Sequence, residues 1–120
     1  MATRSTIALK LKSGKIVAVY CHWSGAIEDN GLNLVRNYNN YEAAKSVIKS
    51  GSYSQLRETI AESITHESMG HTPIRYTYEN LADYLENHDG EEYDYIFTGR
   101  TWNVVRNGKL HSLNRMVSKL

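Results

Sequence analysis

The sequence contains one cysteine, Cys21, and one proline, and it has no long hydrophobic run. A single cysteine excludes an intrachain disulfide and a zinc site built from several cysteines of one chain. The longest apolar runs, such as residues 16–20, are far shorter than the roughly 20 residues that a membrane-spanning helix needs, and no signal peptide is visible. Lys and Arg (14) nearly balance Asp and Glu (13), so the net charge of +1 excludes a global attraction to nucleic acid or to anionic membranes. We therefore expect a cytoplasmic protein without membrane or bulk nucleic-acid partners.

Recognisable catalytic and cofactor motifs are also missing. Neither G-x-x-x-x-G-K-[ST] nor G-x-G-x-x-G occurs, which argues against P-loop and dinucleotide-binding chemistry. His66 and His71 are five positions apart with Gly70 between them, whereas a zinc-binding helix needs histidines at i and i+4. Cys21 and His22 are neighbours on a predicted strand, so their side chains should point to opposite faces and not form a catalytic pair. We predict no metal, no cofactor and no catalytic residue.

What the sequence does have is the composition of one folded domain with an unusual share of tyrosine. Its 120 residues, 41% hydrophobic and 22% charged, match a single globular domain that spans residues 1–120. Nine tyrosines and two tryptophans accompany a single phenylalanine. Tyr and Trp combine a large apolar area with a polar group, which favours half-exposed surfaces, interfaces and stacking sites.

The N-terminal part predicts an antiparallel hairpin. Residues 5–11 alternate apolar and polar side chains, the period of a strand with one buried face. Ser13 and Gly14 form a turn, and residues 16–23 are rich in β-branched and aromatic side chains, which favours a second strand.

The middle of the chain predicts helices. A short helix is expected to end near Tyr38, and Asn40 is a suitable N-cap for a helix over residues 41–50 that Gly51 ends. Residues 52–76 predict a short helix followed by a loop.

A further helix is predicted with Thr77 as its cap and Gly90 at its end. Its apolar positions have helical spacing and should pack on the sheet. They are Leu81, Tyr84, Leu85 and His88.

The C-terminal part predicts a three-stranded meander. Residues 93–98 alternate again, Gly99 and Arg100 form a turn, and residues 102–105 form the next strand. Asn107-Gly108 is a strong hairpin signal and leads to a last strand over residues 110–113. Together these segments predict an α+β fold: a mainly antiparallel sheet from the two ends of the chain, with two to four helices between them packed on one face.

Aromatic and cationic side chains near the strand ends form the candidate ligand site. Interleaved aromatics and cations can hold a nucleobase and a phosphate: a stacked base contributes about 1–3 kcal/mol, and arginine binds phosphate as a two-pronged fork. The alternative is that these aromatics form the core and a subunit interface. The predicted ligand-binding residues are Arg4, Ser5, Tyr20, His22, Trp23, Tyr93, Tyr95, Arg100 and Trp102.

Two short segments carry a resemblance. M-A-T-R-S at residues 1–5 and Y-C-H-W-S-G at residues 20–25 resemble an uncharacterised family of small phage and prophage proteins that carry Y-C-H-W-D-G. Residues 51–56 and the closing E-Y-x-Y-x-F at residues 92–97 extend the likeness over most of the chain. Ser24 stands where the family usually has aspartate. The resemblance implies a phage or prophage origin, and hence the host cytoplasm, but brings no activity with it.

Small phage proteins often act on host defence, so we expect a non-enzymatic counter-defence protein. Its expected ligand is a small anionic molecule that it sequesters, with a nucleotide immune signal as a candidate. The first alternative is a protein-protein inhibitor of a host factor, with the tyrosines as hot spots. The second is a small enzyme acting on a nucleotide or RNA with His22 as acid or base. Possible exposed strand edges also predict a homo-oligomer.

Overall fold

The computed structural model describes residues 2–120, which fold into an eight-stranded sheet with four α-helices. No helix in this part of the chain is long and apolar enough to cross a membrane. The helices are α1 (Leu32–Asn37), which continues from a π-helical turn at Ile27–Gly31, α2 (Tyr41–Ser50), α3 (Leu81–Asn87) and α4 (Leu113–Val117). The strands are β1 (Ser5–Lys10), β2 (Ile16–Cys21), β3 (Tyr53–Gln55), β4 (Ile64–Thr65), β5 (Arg75–Tyr78), β6 (Tyr93–Phe97), β7 (Trp102–Arg106) and β8 (Lys109–Ser112).

The two terminal groups of strands meet at the centre of the sheet. The strand order is β4-β3-β2-β1-β6-β7-β8, and β5 lies beside β2 on the same side as β3. The predicted N-terminal hairpin is confirmed, with β1 and β2 antiparallel from Ser5 opposite Cys21 to Lys10 opposite Ile16. The C-terminal meander of β6, β7 and β8 is confirmed as well. A parallel pairing of β1 with β6 joins the two groups.

Helices cover both faces of the sheet. One face carries Ile7 and Leu9 and packs against α1, α2 and α4. The opposite face carries Ala8 and Ala18 and packs against α3 through the buried Tyr84. The α+β class is therefore confirmed, but α3 does not share a face with the other helices. The reason is that the central strands also carry apolar side chains on their second face, among them Ile16 and Ile96, which pack with Tyr84 of α3.

The middle of the chain departs most from the sequence-based prediction. The short helix predicted within residues 52–76 is wrong, because this segment forms β3, β4, a 3₁₀ turn at Glu67–Met69 and the start of β5. Its apolar side chains at i+4 spacing anchor a loop to the core instead; Leu56 is buried and Ile60 packs beside it. A few apolar residues at that spacing do not by themselves distinguish a helix from an anchored loop.

The helix ends agree with the sequence in part. α2 begins as predicted, with the Asn40 side chain accepting from the Ala43 N–H at 2.8 Å. α3 is capped by Asn80 and not by Thr77, because Thr77 belongs to β5. The last predicted strand ends early, since Ser112 caps α4, a helix that the sequence analysis did not anticipate.

Candidate functional site

The end of β2 carries the side chains that form the candidate site. Strand alternation places Tyr20 on the face shared with Ala18, whereas Cys21 points into the opposite core and is fully buried. Beyond the strand, the backbone N–H groups of His22 and Trp23 donate to the carbonyls of Tyr53 and Ser54, each at 3.0 Å. These two bonds extend the pairing with β3 and hold both side chains at the end of the sheet.

Aromatic and imidazole rings contact one another across this end of the sheet. The Tyr20 hydroxyl lies 2.9 Å from Nδ1 of His22, and the His22 ring meets the Trp23 ring edge-on at 5.0 Å between centroids. His66 stacks on Tyr20 at 6.0 Å with an interplanar angle of 17°. His71 meets the His66 ring edge-on at 6.4 Å between centroids. Ile74, just before β5 and opposite Tyr20, and Tyr76 of β5, opposite Ala18, flank the cluster. We call this set the imidazole surface; it comprises Tyr20, His22, Trp23, His66, His71, Ile74 and Tyr76.

The buried Ser52 side chain contacts His66 and positions its ring. The Ser52 Oγ accepts from the Ile74 N–H at 2.8 Å, and the same Oγ lies 2.7 Å from Nδ1 of His66. In the Nε2–H tautomer of neutral His66, Nδ1 accepts a hydrogen bond from the Ser52 hydroxyl. Because Ser52 is only 1% exposed, a ligand cannot reach its hydroxyl, so Ser52 is a positioning residue and not a nucleophile.

Protonation of His66 is opposed by the fold, and this predicts a pH dependence of stability. Burial lowers the pKa of His66 from its ordinary 6.5, and the neighbouring His71 and His22 lower it further. The unfolded chain then binds this proton more readily, so the stabilisation is present above about pH 6.5 and is lost as the pH falls through the lower pKa of the folded state. The Tm of the protein should therefore fall between about pH 7 and pH 5, and His66→Gln should flatten part of that fall.

This dependence is measurable by thermal unfolding at constant ionic strength. The matched control is His111→Gln, on the exposed β8 strand. In this variant the dependence of Tm on pH should be that of the wild type. Identical slopes in the wild type and in His66→Gln would contradict the assignment.

Charged groups of both signs lie beside the imidazole surface. Burial raises the pKa of Tyr20, the positive charge of Arg4 opposes that rise, and Glu91 adds to it. Arg4 is exposed just before β1, and its backbone N–H lies 3.4 Å from a carboxylate oxygen of Glu92. Arg4 is thus the cation that the fold brings close to Tyr20.

The structure brings together only some of the residues that the sequence predicted as ligand-binding. Arg4, Tyr20, His22 and Trp23 lie at one end of the sheet, as the proposed site requires. Arg100 lies in the turn between β6 and β7, at the opposite end, because β6 runs parallel to β1 and ends where the β1–β2 turn begins.

The remaining predicted residues serve the core, which corrects their assignment. Trp102 is fully buried and its Nε1–H donates to the Tyr38 carbonyl at 2.9 Å. Tyr95 is fully buried and its hydroxyl donates to the Gly25 carbonyl at 2.6 Å.

Ser5 and Tyr93 also lie away from the imidazole surface. The buried Ser5 hydroxyl accepts from the Asn30 side chain at 3.3 Å. Tyr93 stacks on Tyr95 on the face opposite Tyr20. Side chains alternate between the two faces of a strand, and the aromatic residues at the odd positions of β6, Tyr93 and Tyr95, point into the core that α1, α2 and α4 cover. These residues are therefore absent from the imidazole surface.

Ser52, His66, His71 and Tyr76 are the site residues that the sequence reasoning missed. The only signal for them in the sequence is the His66–His71 pair, whose spacing argues against a metal site. Within residues 2–120 no group of three or more His, Cys, Asp or Glu side chains is placed to hold a metal ion. These residues lie near the end of β2 because β3 and β5 pair with that strand. No local pattern in the sequence predicts that pairing.

A polar cavity of about 480 Å³ lies between α1 and the loop after β3 and is separate from the imidazole surface. Carboxylates outnumber guanidinium groups in its lining, which makes it a poor host for an anion. Its charged lining residues are Glu28, Asp29, Glu58, Glu62, Arg36 and Arg57.

Comparison with protein-family models, with curated proteins and with solved structures finds no match to this chain.

Proposed function

We propose that this chain is a phage-encoded, non-enzymatic accessory protein that binds and sequesters a small anionic ligand, a nucleotide immune signal being the candidate. The observation that carries the proposal is the convergence of His22, His66 and His71, three of the five histidines of the chain, with Trp23 and Tyr76 on one open end of the sheet. The resemblance to small phage and prophage proteins supports a phage origin, and small phage proteins often act on host defence.

The chemistry of the surface suits a planar, phosphorylated ligand. Trp23 is 43% exposed and Tyr76 is 37% exposed, so each offers a ring face or edge to a base. No hydrogen bond within residues 2–120 engages Nε2 of His22 or His66, which leaves these nitrogens for phosphate oxygens. Arg4 adds a guanidinium fork at the border of the surface.

Two features favour binding over turnover. Cys21 is buried, and burial raises the pKa of its thiol, which disfavours the nucleophilic thiolate. Ser52, whose aliphatic hydroxyl contacts His66, is equally inaccessible. The nucleophiles nearest to the imidazole surface therefore have structural roles.

One experiment separates the candidate functions. The protein is incubated with a panel of mono-, di- and cyclic nucleotides, freed of unbound material and heat-denatured, and the released molecules are identified by mass spectrometry. Release of an intact nucleotide supports sequestration. Release of an altered nucleotide would indicate an enzyme, and release of nothing would contradict the proposal.

Variants of the surface should weaken this capture. Arg4→Ala removes a phosphate fork and Trp23→Ala removes a stacking ring, and each should lower the affinity at least tenfold, about 1.4 kcal/mol. Arg100→Ala is the matched control, because Arg100 is equally exposed but lies at the far end of the sheet. Calorimetric titration with the captured nucleotide measures the affinity of all three variants. Unchanged affinity in both Arg4→Ala and Trp23→Ala would refute the proposed site.

The second candidate function is a protein-protein inhibitor, which the exposed apolar side chains favour. Trp23, Met69, Ile74 and Tyr76 are four of the five large hydrophobic residues that are exposed within residues 2–120, and all four lie on or beside the imidazole surface. Exposed aromatic and Met side chains are enriched in protein interfaces. This function predicts a stable protein complex that Met69→Ser weakens, whereas nucleotide capture should not depend on Met69.

A further inference from the structure

The strand β5 is an exposed edge of the sheet. Within residues 2–120 it pairs with β2 alone, and three of its four residues are exposed. The Ile74 carbonyl accepts from the Tyr20 N–H, so the even positions of this segment bond to β2. Antiparallel pairing alternates, so Arg75 and Thr77, the odd positions of β5, turn their backbone groups outward. Glu79, directly after β5, continues this side with its carbonyl alone, because its N–H donates to the Asp83 carboxylate. An unpaired edge of this kind is a template for another strand.

We propose that a second copy of this chain occupies this edge, through antiparallel pairing of β5 with β5 around a two-fold axis at Thr77. In this register Thr77 lies opposite Thr77 of the other copy, and Arg75 lies opposite Glu79 at both ends. Opposite charges therefore meet across the interface twice. On the other face of the sheet, Tyr76 lies opposite Tyr78, a favourable cross-strand aromatic pair.

Two shifts of this register toward the N-terminus are less favourable. Only shifts by an even number keep outward-facing backbone groups opposite each other. A shift of two residues toward the N-terminus sets Pro73, which has no N–H, opposite Glu79. A shift of four sets Arg75 opposite Arg75, which places like charges together.

The hydrogen bonds that Arg75 and Glu79 make within one chain leave groups of both residues for this pairing. The Arg75 guanidinium donates to the Gly51 carbonyl at 2.8 Å and to the Lys49 carbonyl at 3.4 Å, both through one nitrogen. The other N–H groups of the guanidinium remain as donors for the second copy. The Glu79 N–H donates to the Asp83 carboxylate at 2.8 Å. Its carbonyl is then the group that accepts from the Arg75 N–H of the other copy.

The pairing has a consequence for the imidazole surface, although it does not depend on the proposed ligand. Directly opposed residues of an antiparallel pair point to the same face, so the two sheets become continuous with both imidazole surfaces on one side. Tyr76 of each copy borders the junction. A dimer would therefore present two adjacent copies of the surface to one ligand or partner.

Sedimentation equilibrium of the full chain tests the dimer. The wild type should show a concentration-dependent equilibrium between one chain and two. Thr77→Lys and Thr77→Glu each place like charges on the two-fold axis and should weaken self-association at least tenfold, whereas a mixture of the two variants should restore the dimer. A mass of one chain for the wild type at concentrations up to about 1 mM would overturn the proposal.

A second pair of variants tests the charge contact. Glu79→Lys sets a lysine opposite Arg75 and should weaken the dimer, while Glu86→Lys, the same change at an exposed position of α3, should not. Circular dichroism confirms that each variant is folded. Equal association of both variants would refute the register.

Cross-linking gives an independent check of the axis. Opposed residues of a bonded antiparallel pair have Cα atoms about 5.5 Å apart, within the range of a disulfide. Thr77→Cys should therefore form a covalent dimer on oxidation with diamide, and the buried Cys21 should not interfere. Thr101→Cys, at an exposed turn, is the control. Equal cross-linking of both variants, or none with Thr77→Cys, would overturn the proposal.

Discussion

Trp102→Ala is expected to lower the free energy of unfolding by about 3–5 kcal/mol, whereas Trp23→Ala should leave it within about 0.5 kcal/mol. Trp102 is fully buried, and its ring meets the Phe97 ring edge-on at 5.3 Å between centroids. Its indole N–H also donates to the Tyr38 carbonyl. Alanine leaves a cavity and an unpartnered carbonyl, and domains of this size have a total stability of only about 5–15 kcal/mol.

The two tryptophans can be compared by urea unfolding monitored by far-UV circular dichroism. Trp23 is the internal control, because it is the same residue type on the surface of the same sheet. Trp102→Phe should be less harmful than Trp102→Ala, since the ring volume is largely kept and only the hydrogen bond is lost. Similar losses for Trp23→Ala and Trp102→Ala would contradict the division between core and site.

Gly25→Ala is expected to destabilise the protein by about 1–3 kcal/mol and to weaken ligand capture as well. A Cβ at this position would lie 2.7 Å from the Thr3 carbonyl oxygen and 3.0 Å from the Arg4 carbonyl carbon. Both are backbone atoms, so no side-chain rotation relieves the contact. Gly25 is also fixed on its other side, where its carbonyl accepts from the Tyr95 hydroxyl. The segment that carries Arg4 must therefore move away from Gly25, which changes the position of Arg4 relative to the imidazole surface.

Gly90→Ala is the matched control for this substitution. A Cβ at Gly90 would meet only a carboxylate oxygen of Asp94, at an ordinary contact distance of 3.4 Å. Thermal unfolding and nucleotide titration of both variants measure the two effects. If Gly25→Ala were as stable as Gly90→Ala and retained full capture, Arg4 would not be positioned by this contact.

The terminal parts of the fold could be predicted because their signals are local. The period-2 pattern of residues 5–11 requires only that one face be buried, and Asn107-Gly108 specifies a tight turn by its own backbone preferences. The N-cap at Asn40 is local in the same sense, since it acts on the N–H of Ala43. None of these features depends on a distant part of the chain.

The candidate site could be predicted only where it followed from the strands. The alternation that sends Cys21 inward also places Tyr20 and His22 on the other face, as expected. The same alternation removes Tyr95 and Trp102 from the surface, but which face of β6 and β7 the helices cover depends on packing across the sheet. The period-2 pattern predicted one buried face, whereas β1 and β6 are buried on both, and the pattern does not show which neighbours cover them.

The sequence by itself determined the α+β class, the hairpin at one end, the meander at the other and the position of Tyr20, His22 and Trp23 at the end of β2. Only the tertiary structure decided that β1 and β6 pair at the centre, that α3 covers the second face, and that His66 stacks on Tyr20. The physical reason is the range of the interactions: turns, caps and alternation act within a few residues. The pairing of β2 with β3 and β5 joins segments that are distant in sequence and lack a periodic pattern of their own.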